Sequence, residues 1–333
     1  MILNVPGPRS NAAWIISKDD LMEPLDPKAR ALLTAIVAAG DPPVNDLSAL
    51  DARNLVHSRY EQIRLPLKKV KSIREIIIPG PGGDLNLRIY TPLGNGPFPV
   101  LLFIHGGGWV LFRPYHYDAV CTHLCEGSSA VVVSVDYRLS PETKFPGALE
   151  DCSAALRWIF DHASDLEGDT GRVFLAGDSA GGNLAAALAI KNRDENGIVP
   201  RGMVLIYPVT DYFEPGTASF TEFSEGFSLT REAMKWFWNL YLSDEKDAAN
   251  HLAAPLKASD LSALPPSLIL VSGYDPLRDE GMLFAERLKN AGNRVTLLPY
   301  ESMIHGFLSY LGILDQGMDA MRKISDWLRA ASG

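Results

Sequence analysis

The stretch Leu175-Ala176-Gly177-Asp178-Ser179-Ala180-Gly181-Gly182-Asn183 constrains this chain more than any other. The apolar run 173–176 before it reads as a strand, and the alanine-rich segment 184–190 after it reads as a helix. Between them the backbone must reverse within a few residues. Gly-x-Ser-x-Gly puts Ser179 at the apex of such a turn, and glycine at 177 and 181 leaves room where a Cβ would strike the neighbouring strand or helix. The hydroxyl then stands near a helix N-terminus, whose unpaired N–H groups and dipole favour developing negative charge. Taken alone, the pattern also fits an ordinary strand-to-helix turn, so the rest of the chain has to decide.

From residue 72 onward, strand-like and helix-like segments alternate. Strands are expected at 73–78, 85–89, 100–104, 130–135, 173–176, 203–207, 267–271 and 295–298. Helices are expected at 117–126, 146–162, 184–190, 280–290 and 315–330. That rhythm implies an α/β protein with a mostly parallel sheet covered on both faces. Residues 1–70 read as helices and loops. Asp26-Pro27 opens one helix, with a stripe of Leu32, Leu33, Ile36 and Val37 and a stop at Gly40. Ser48, followed by Asp51, opens a second. Residues 211–254 interrupt the alternation: Met234, Phe237, Trp238 and Tyr241 fall on one helical face, and Phe220, Phe223 and Phe227 precede it in a loop. The division expected is a cap made of 1–70 and 211–254 over a core made of 71–210 and 255–333.

Composition narrows the function. Of 333 residues, 47% are hydrophobic and 21% charged, enough for a large core. A formal net charge of −9 without a basic patch disfavours nucleic acid as a partner. Three cysteines cannot all pair within one chain, and Cys121-x-His123-x-Cys125 lies in a helical stretch where His123 faces away from the thiols, so no metal is expected. No run approaches the ~18 apolar residues of a membrane span, and segment 12–16 is too short for a signal sequence. A cytoplasmic location is the default expectation.

A serine hydroxyl needs a base, normally a histidine oriented by a carboxylate. In sheets of this kind the three follow in the order serine, acid, histidine, each just after a strand. Asp275 follows the strand at 267–271 and His305 the strand at 295–298. Asp279 is close by and is expected to cap the next helix. His105-Gly106-Gly107-Gly108-Trp109 follows the buried strand at 100–104. Successive glycines let the backbone aim N–H groups at one point, as an oxyanion requires. Gly107 and Gly108, with Ala180 after the serine, are the expected donors. His105 and Gly106 shape the loop.

Together these motifs resemble the hormone-sensitive-lipase-like branch of the α/β-hydrolase fold, the bacterial family IV esterases. The resemblance runs from about residue 73 to the C-terminus. It also takes in Asp136-Tyr137-Arg138-Leu139-Ser140-Pro141-Glu142, Tyr274-Asp275-Pro276-Leu277-Arg278-Asp279 and His305-Gly306-Phe307. It implies an eight-stranded sheet, a helical cap, no cofactor, and Ser179, Asp275 and His305 as nucleophile, orienter and base. It implies a small-molecule ester substrate with a short to medium acyl chain, and dimers are common among relatives. Trp14, Trp109, Phe220, Phe223, Phe227, Trp238 and Phe307 are the candidates for an apolar pocket. An amidase or deacetylase on the same triad is the alternative. Plant gibberellin receptors resemble the same branch but lack the catalytic histidine, so the presence of Asp275 and His305 disfavours a receptor.

Overall fold

A computed structural model of the chain describes residues 24–63 and 65–333. Two helices come first, α1 (Pro27–Ala38) and α2 (Ala49–Gln62). The Asp26 carboxylate accepts from the N–H groups of Lys28 and Ala29, and the Ser48 hydroxyl accepts from that of Asp51, so each helix opens on a side-chain cap. The alternating part follows: β1 (Ser72–Gly80), β2 (Gly83–Thr91), β3 (Phe98–Ile104), α3 (Asp118–Ser128), β4 (Val131–Val135), α4 (Gly147–His162), β5 (Gly168–Asp178), α5 (Ala180–Asp194) and β6 (Gly202–Ile206). The insertion contributes α6 (Ala218–Glu222) and α7 (Arg231–Tyr241). The chain then closes with β7 (Ser267–Tyr274), α8 (Arg278–Asn290), β8 (Val295–Ile304) and α9 (Asp315–Ser332).

The eight strands form one sheet in the order β1-β2-β4-β3-β5-β6-β7-β8. β2 runs antiparallel to β1 and β4, and every pair from β4 to β8 is parallel. Side chains of β3 alternate between two apolar layers. Leu102 and Ile104 join α4, α5 and α8 on one face, while Leu101 and Phe103 join α3 and α9 on the other. Burial on both faces explains why the central strands read as continuous apolar runs. The α/β architecture and the sheet therefore follow the expectation from sequence. The three cysteines are buried free thiols. No helix among the described residues is long and apolar enough to cross a membrane.

Register decides where the strand ends meet. Ile104 pairs with Gly177, and Asp178 with Ile206, so the loop after β3 and the turn after β5 emerge side by side. A register shift between β7 and β8 leaves Tyr274 paired with Ile304, which makes Asp275 and His305 the next residues out on adjacent strands. Within the insertion, α7 buries Met234, Phe237, Trp238 and Tyr241 and packs against the turn at Val44–Asp46. Phe220 differs from the expectation of a loop, because it sits in the short helix α6 and is fully buried.

A methyl group on Gly181 would strike the carbonyl oxygen of Ile104, with that of His105 close behind at 2.7 Å. Neither backbone can move without opening β3 from β5. Gly181→Ala is therefore expected to destabilise the fold by about 3 kcal/mol or more, read as a Tm several degrees lower. A variant that melts with the parent would contradict this close approach.

Candidate active site

The turn between β5 and α5 holds Ser179 at φ 53° and ψ −119°. A serine pays for that conformation in strain, which the surrounding contacts must offset. The Ser179 N–H donates to the Ile206 carbonyl at 2.9 Å, tying the turn to β6. A Cβ on Gly177 would strike the Gly181 carbonyl, so both glycines are required by the same crowding. Ser179 is the N-cap residue of α5, and its hydroxyl is not consumed in capping the helix.

His305 Nε2 lies 2.9 Å from the Ser179 hydroxyl, and His305 Nδ1 lies 2.6 Å from Asp275 Oδ2. A carboxylate only accepts, so Nδ1 carries the proton and Nε2 is left to accept from the hydroxyl. Asp275 is fully buried, and its second oxygen accepts from the Leu277 N–H at 2.9 Å. Its plane is thus fixed by its own loop as well as by the imidazole. On the other side, the Tyr207 ring packs 4.8 Å from the His305 ring. Tyr207 has φ 35°, another strained residue, at the end of β6. Asp279 does not cap the helix after the acid. α8 begins two residues earlier than expected, at Arg278 behind Leu277, and Asp279 Oδ2 accepts instead from the Ser219 N–H at 2.9 Å in the insertion.

The glycine loop after β3 is held from below. The Gly106 N–H donates to Asp178 Oδ1 at 2.8 Å, and the Tyr117 hydroxyl donates to Asp178 Oδ2 at 3.0 Å. The Gly107 carbonyl accepts from the N–H groups of Val110 and Leu111, closing a tight turn. Gly107 and Gly108 adopt φ 96° and 59°, values open to glycine. Their own N–H groups take no part in the turn. The Ala180 N–H, at the start of α5, has no partner within its helix. His105 is fully buried, stacks on Tyr137 at 4.4 Å between ring centres, and bonds through Nδ1 to the Gly106 carbonyl at 2.9 Å. Burial lowers its pKa to about 3, so the ring is neutral. It does not contact Ser179; its bonds are to its own loop. Asp178, given no role on sequence grounds, is the carboxylate on which this loop rests. Burial pushes its pKa up to about 6, against the pull of the Tyr117 and Gly106 hydrogen bonds.

An α/β-hydrolase fold family model matches residues 101–309. The chain is 45% identical over 243 residues to the carboxylic ester hydrolase LipN of Mycobacterium tuberculosis, spanning 71% of this chain and just under two thirds, 64%, of LipN. It is 33% identical to an arylesterase of Saccharolobus solfataricus, with 86% of this chain and 92% of the arylesterase aligned. The crystal structure of a hyperthermophilic esterase from the archaeon Pyrobaculum calidifontis superposes with a TM-score of 0.88 at 38% identity, covering 92% of this chain and 99% of that one. The chain belongs to the hormone-sensitive-lipase-like esterases of the α/β-hydrolase fold.

In this esterase the aromatic residues proposed from sequence for a pocket fall into two groups. Trp109, Phe220, Trp238 and Phe307 have no accessible surface. Trp109 stacks flat on Tyr241 at 4.1 Å and meets Trp238 at 4.7 Å; Phe307 packs on Tyr300 and Tyr207. These four are core residues and do not face open space, because each ring is more stabilising when wrapped by other rings than when half-solvated. Phe223 is also buried, with the Arg278 guanidinium 4.9 Å above its ring, and Phe227 is the one described member of the set that is partly exposed, against Phe223 and Tyr274. Trp14 lies outside the described residues. Sequence reasoning missed Phe237, whose ring occupies the space a side chain at Gly108 would need. Its place on the helical stripe was visible, but its partner was not.

The raised Asp178 pKa fixes the sign of a pH effect. A carboxyl that titrates near 6 in the fold and near its ordinary 3.8 when unfolded favours the fold most when protonated. That contribution is complete below about pH 4 and is lost as pH rises to 6, by at most about 3 kcal/mol. Asp178→Asn keeps an acceptor for Gly106 and does not titrate. Its Tm relative to the parent should climb between pH 4 and 6.5 and then level off; a difference independent of pH would contradict the buried carboxylate.

Proposed function

We propose that the protein hydrolyses carboxylic esters of short to medium acyl chain through an acyl-enzyme on Ser179. His305 Nε2 takes the hydroxyl proton as Oγ attacks the carbonyl carbon. The carbonyl π pair moves onto oxygen, where the N–H groups of Gly107, Gly108 and Ala180 receive it. Collapse expels the alcohol, which the His305 imidazolium protonates. A water molecule then repeats the attack with His305 again as base, and the carboxylic acid leaves. Asp275 keeps its charge throughout and holds the imidazole in the required tautomer. The observation that carries this reading is the relay of 2.9 Å and 2.6 Å from hydroxyl to imidazole to buried carboxylate.

The reading includes a cap formed by the N-terminal arm to residue 70 and by 211–254, seated on a core of 71–210 and 255–333. Contact of α7 with the turn at Val44–Asp46 supports joining the two cap pieces. It also includes a cytoplasmic location, which buried free thiols fit, and a homodimer, for which β8 offers an outer sheet edge. The partner is a small ester, and the net charge of −9 opposes a polyanion.

Ser179→Ala should lower turnover of p-nitrophenyl butyrate by about 10³-fold or more, with Tm unchanged. Retention of a substantial fraction of the rate by the folded variant would overturn the assignment. In a series of acyl lengths, rates should peak at short to medium chains; a maximum on long emulsified chains would reverse the substrate reading.

A further inference from the structure

One side chain of the N-terminal arm forms hydrogen bonds to the glycine loop. Arg53, on α2, donates from Nε to the Val110 carbonyl at 2.8 Å and from Nη2 to the Ser140 carbonyl at 2.7 Å. The same guanidinium forks onto Glu142, Nη1 to Oε1 at 2.8 Å and Nη2 to Oε2 at 2.7 Å. Three segments far apart in sequence therefore meet on one planar cation. Val110 closes the turn that begins at Gly107, and the Ser140 N–H donates to the Trp109 carbonyl at 2.9 Å. Every carbonyl of the turn from 109 to 110 thus has an outside donor, and one of the two is Arg53.

We propose that Arg53 is a positioning residue for the hydrolytic reaction, fixing from the arm the turn that presents the Gly107 and Gly108 amides. The inference rests on the oxyanion role proposed above for those amides. Oxyanion donors act only if they are already in place when charge appears, and a misplacement of about 1 Å costs on the order of 10²-fold in rate. A turn with two carbonyls anchored cannot rotate its peptide planes freely.

Why an arginine serves here follows from shape. Nε and Nη2 point from one edge of the guanidinium, so a single rigid plane meets two carbonyls at once, which the point charge of a lysine cannot do. Glu142 is largely exposed, and an exposed ion pair contributes little by itself. Arg53 holds the Glu142 carboxyl down to about pKa 2, so the fork stays ionised at neutral pH. The bonds to the Val110 and Ser140 carbonyls are what hold the loop, while Glu142 meets the guanidinium from its exposed side.

The test uses Arg53→Ala, Arg53→Lys and Glu142→Gln, each with its active sites counted by fluorophosphonate labelling of Ser179. Per labelled site, Arg53→Ala should lower kcat by about 10- to 100-fold with KM within about threefold, and Arg53→Lys should fall between it and the parent. Affinity for a trifluoromethyl ketone, which binds as an oxyanion, should fall in proportion to kcat/KM. Glu142→Gln, which leaves both carbonyl bonds possible, should stay within about threefold of the parent. Unchanged kcat per site with only a lower Tm would overturn the inference, as would a loss confined to KM or a Glu142→Gln loss equal to that of Arg53→Ala. If the alanine variant does not fold, the lysine variant decides by the same measures. Failure of fluorophosphonate to label Ser179 in the parent would instead sink the reading of the nucleophile.

Discussion

The close approach of the first turn of α5 to the end of β3 governs the site. Gly181 lies so near the Ile104 carbonyl that no side chain fits between them. Ile104 is the last residue of β3, and the glycine loop starts at the next residue. One contact therefore sets the height of the serine above the sheet and the height of the loop beside it. Strain at Ser179 is tolerated because β3, β6 and α5 all fix the turn from outside. The pairing of Tyr274 with Ile304 does the same for acid and base two strands away. Precision at the site is thus inherited from sheet register, which packing on both faces makes costly to slip.

Burial is used in three different ways around the nucleophile. Asp275 is buried beside a histidine and a backbone N–H, each a donor to one of its oxygens. Asp178 is buried with only neutral donors, and its charge is disfavoured accordingly. His105 is buried against Tyr137 with one ring nitrogen bonded to its own loop and the other without a partner among the described residues, which excludes the imidazolium form. The two aspartates take distinct roles because their neighbours differ, not because their side chains do. Glu280 extends the theme: fully buried on α8, it accepts from the Thr210 and Asp211 N–H groups and supports the backbone leaving β6.

The order of motifs along the chain made the sheet, the elbow and the three reacting side chains legible, because each of these follows from local pattern plus strand order. Strand lengths were less legible. β5 begins at Gly168, five residues before its apolar run, because Phe98 on β3 pairs there. Asp279 was misread since α8 already begins at Arg278, which puts this acid inside the first turn, where it reaches Ser219. Arg53 and Asp178 carried no local signal of their roles, and Phe237 showed only its place on a helical stripe. Arg53 meets carbonyls 57 and 87 residues away, and Phe237 meets a glycine that shows nothing of its neighbour in sequence. Aromatic residues were visible, but whether a ring faces substrate or other rings depends on tertiary packing, and for Trp109 the flat stack on Tyr241 decided it.

These contacts bear on the helical cap proposed above. A lid that merely excludes water can lift away and leave the catalytic groups intact. Here the covering elements are fastened to the glycine loop on two sides. Arg53 from α2 bonds the Val110 carbonyl, while Phe237 from α7 lies over Gly108 and Tyr241 stacks on Trp109. Trp109 itself adopts φ 59°, a left-handed conformation that costs a non-glycine residue strain and persists only where surrounding contacts hold it. Raising either element would break a buried stack or strip two carbonyls of their charged donor, so opening and loss of loop geometry are energetically linked. In the function proposed above, seating of the cap and assembly of the oxyanion-binding loop are then one equilibrium, so a change in the cap reaches the rate of attack as well as binding.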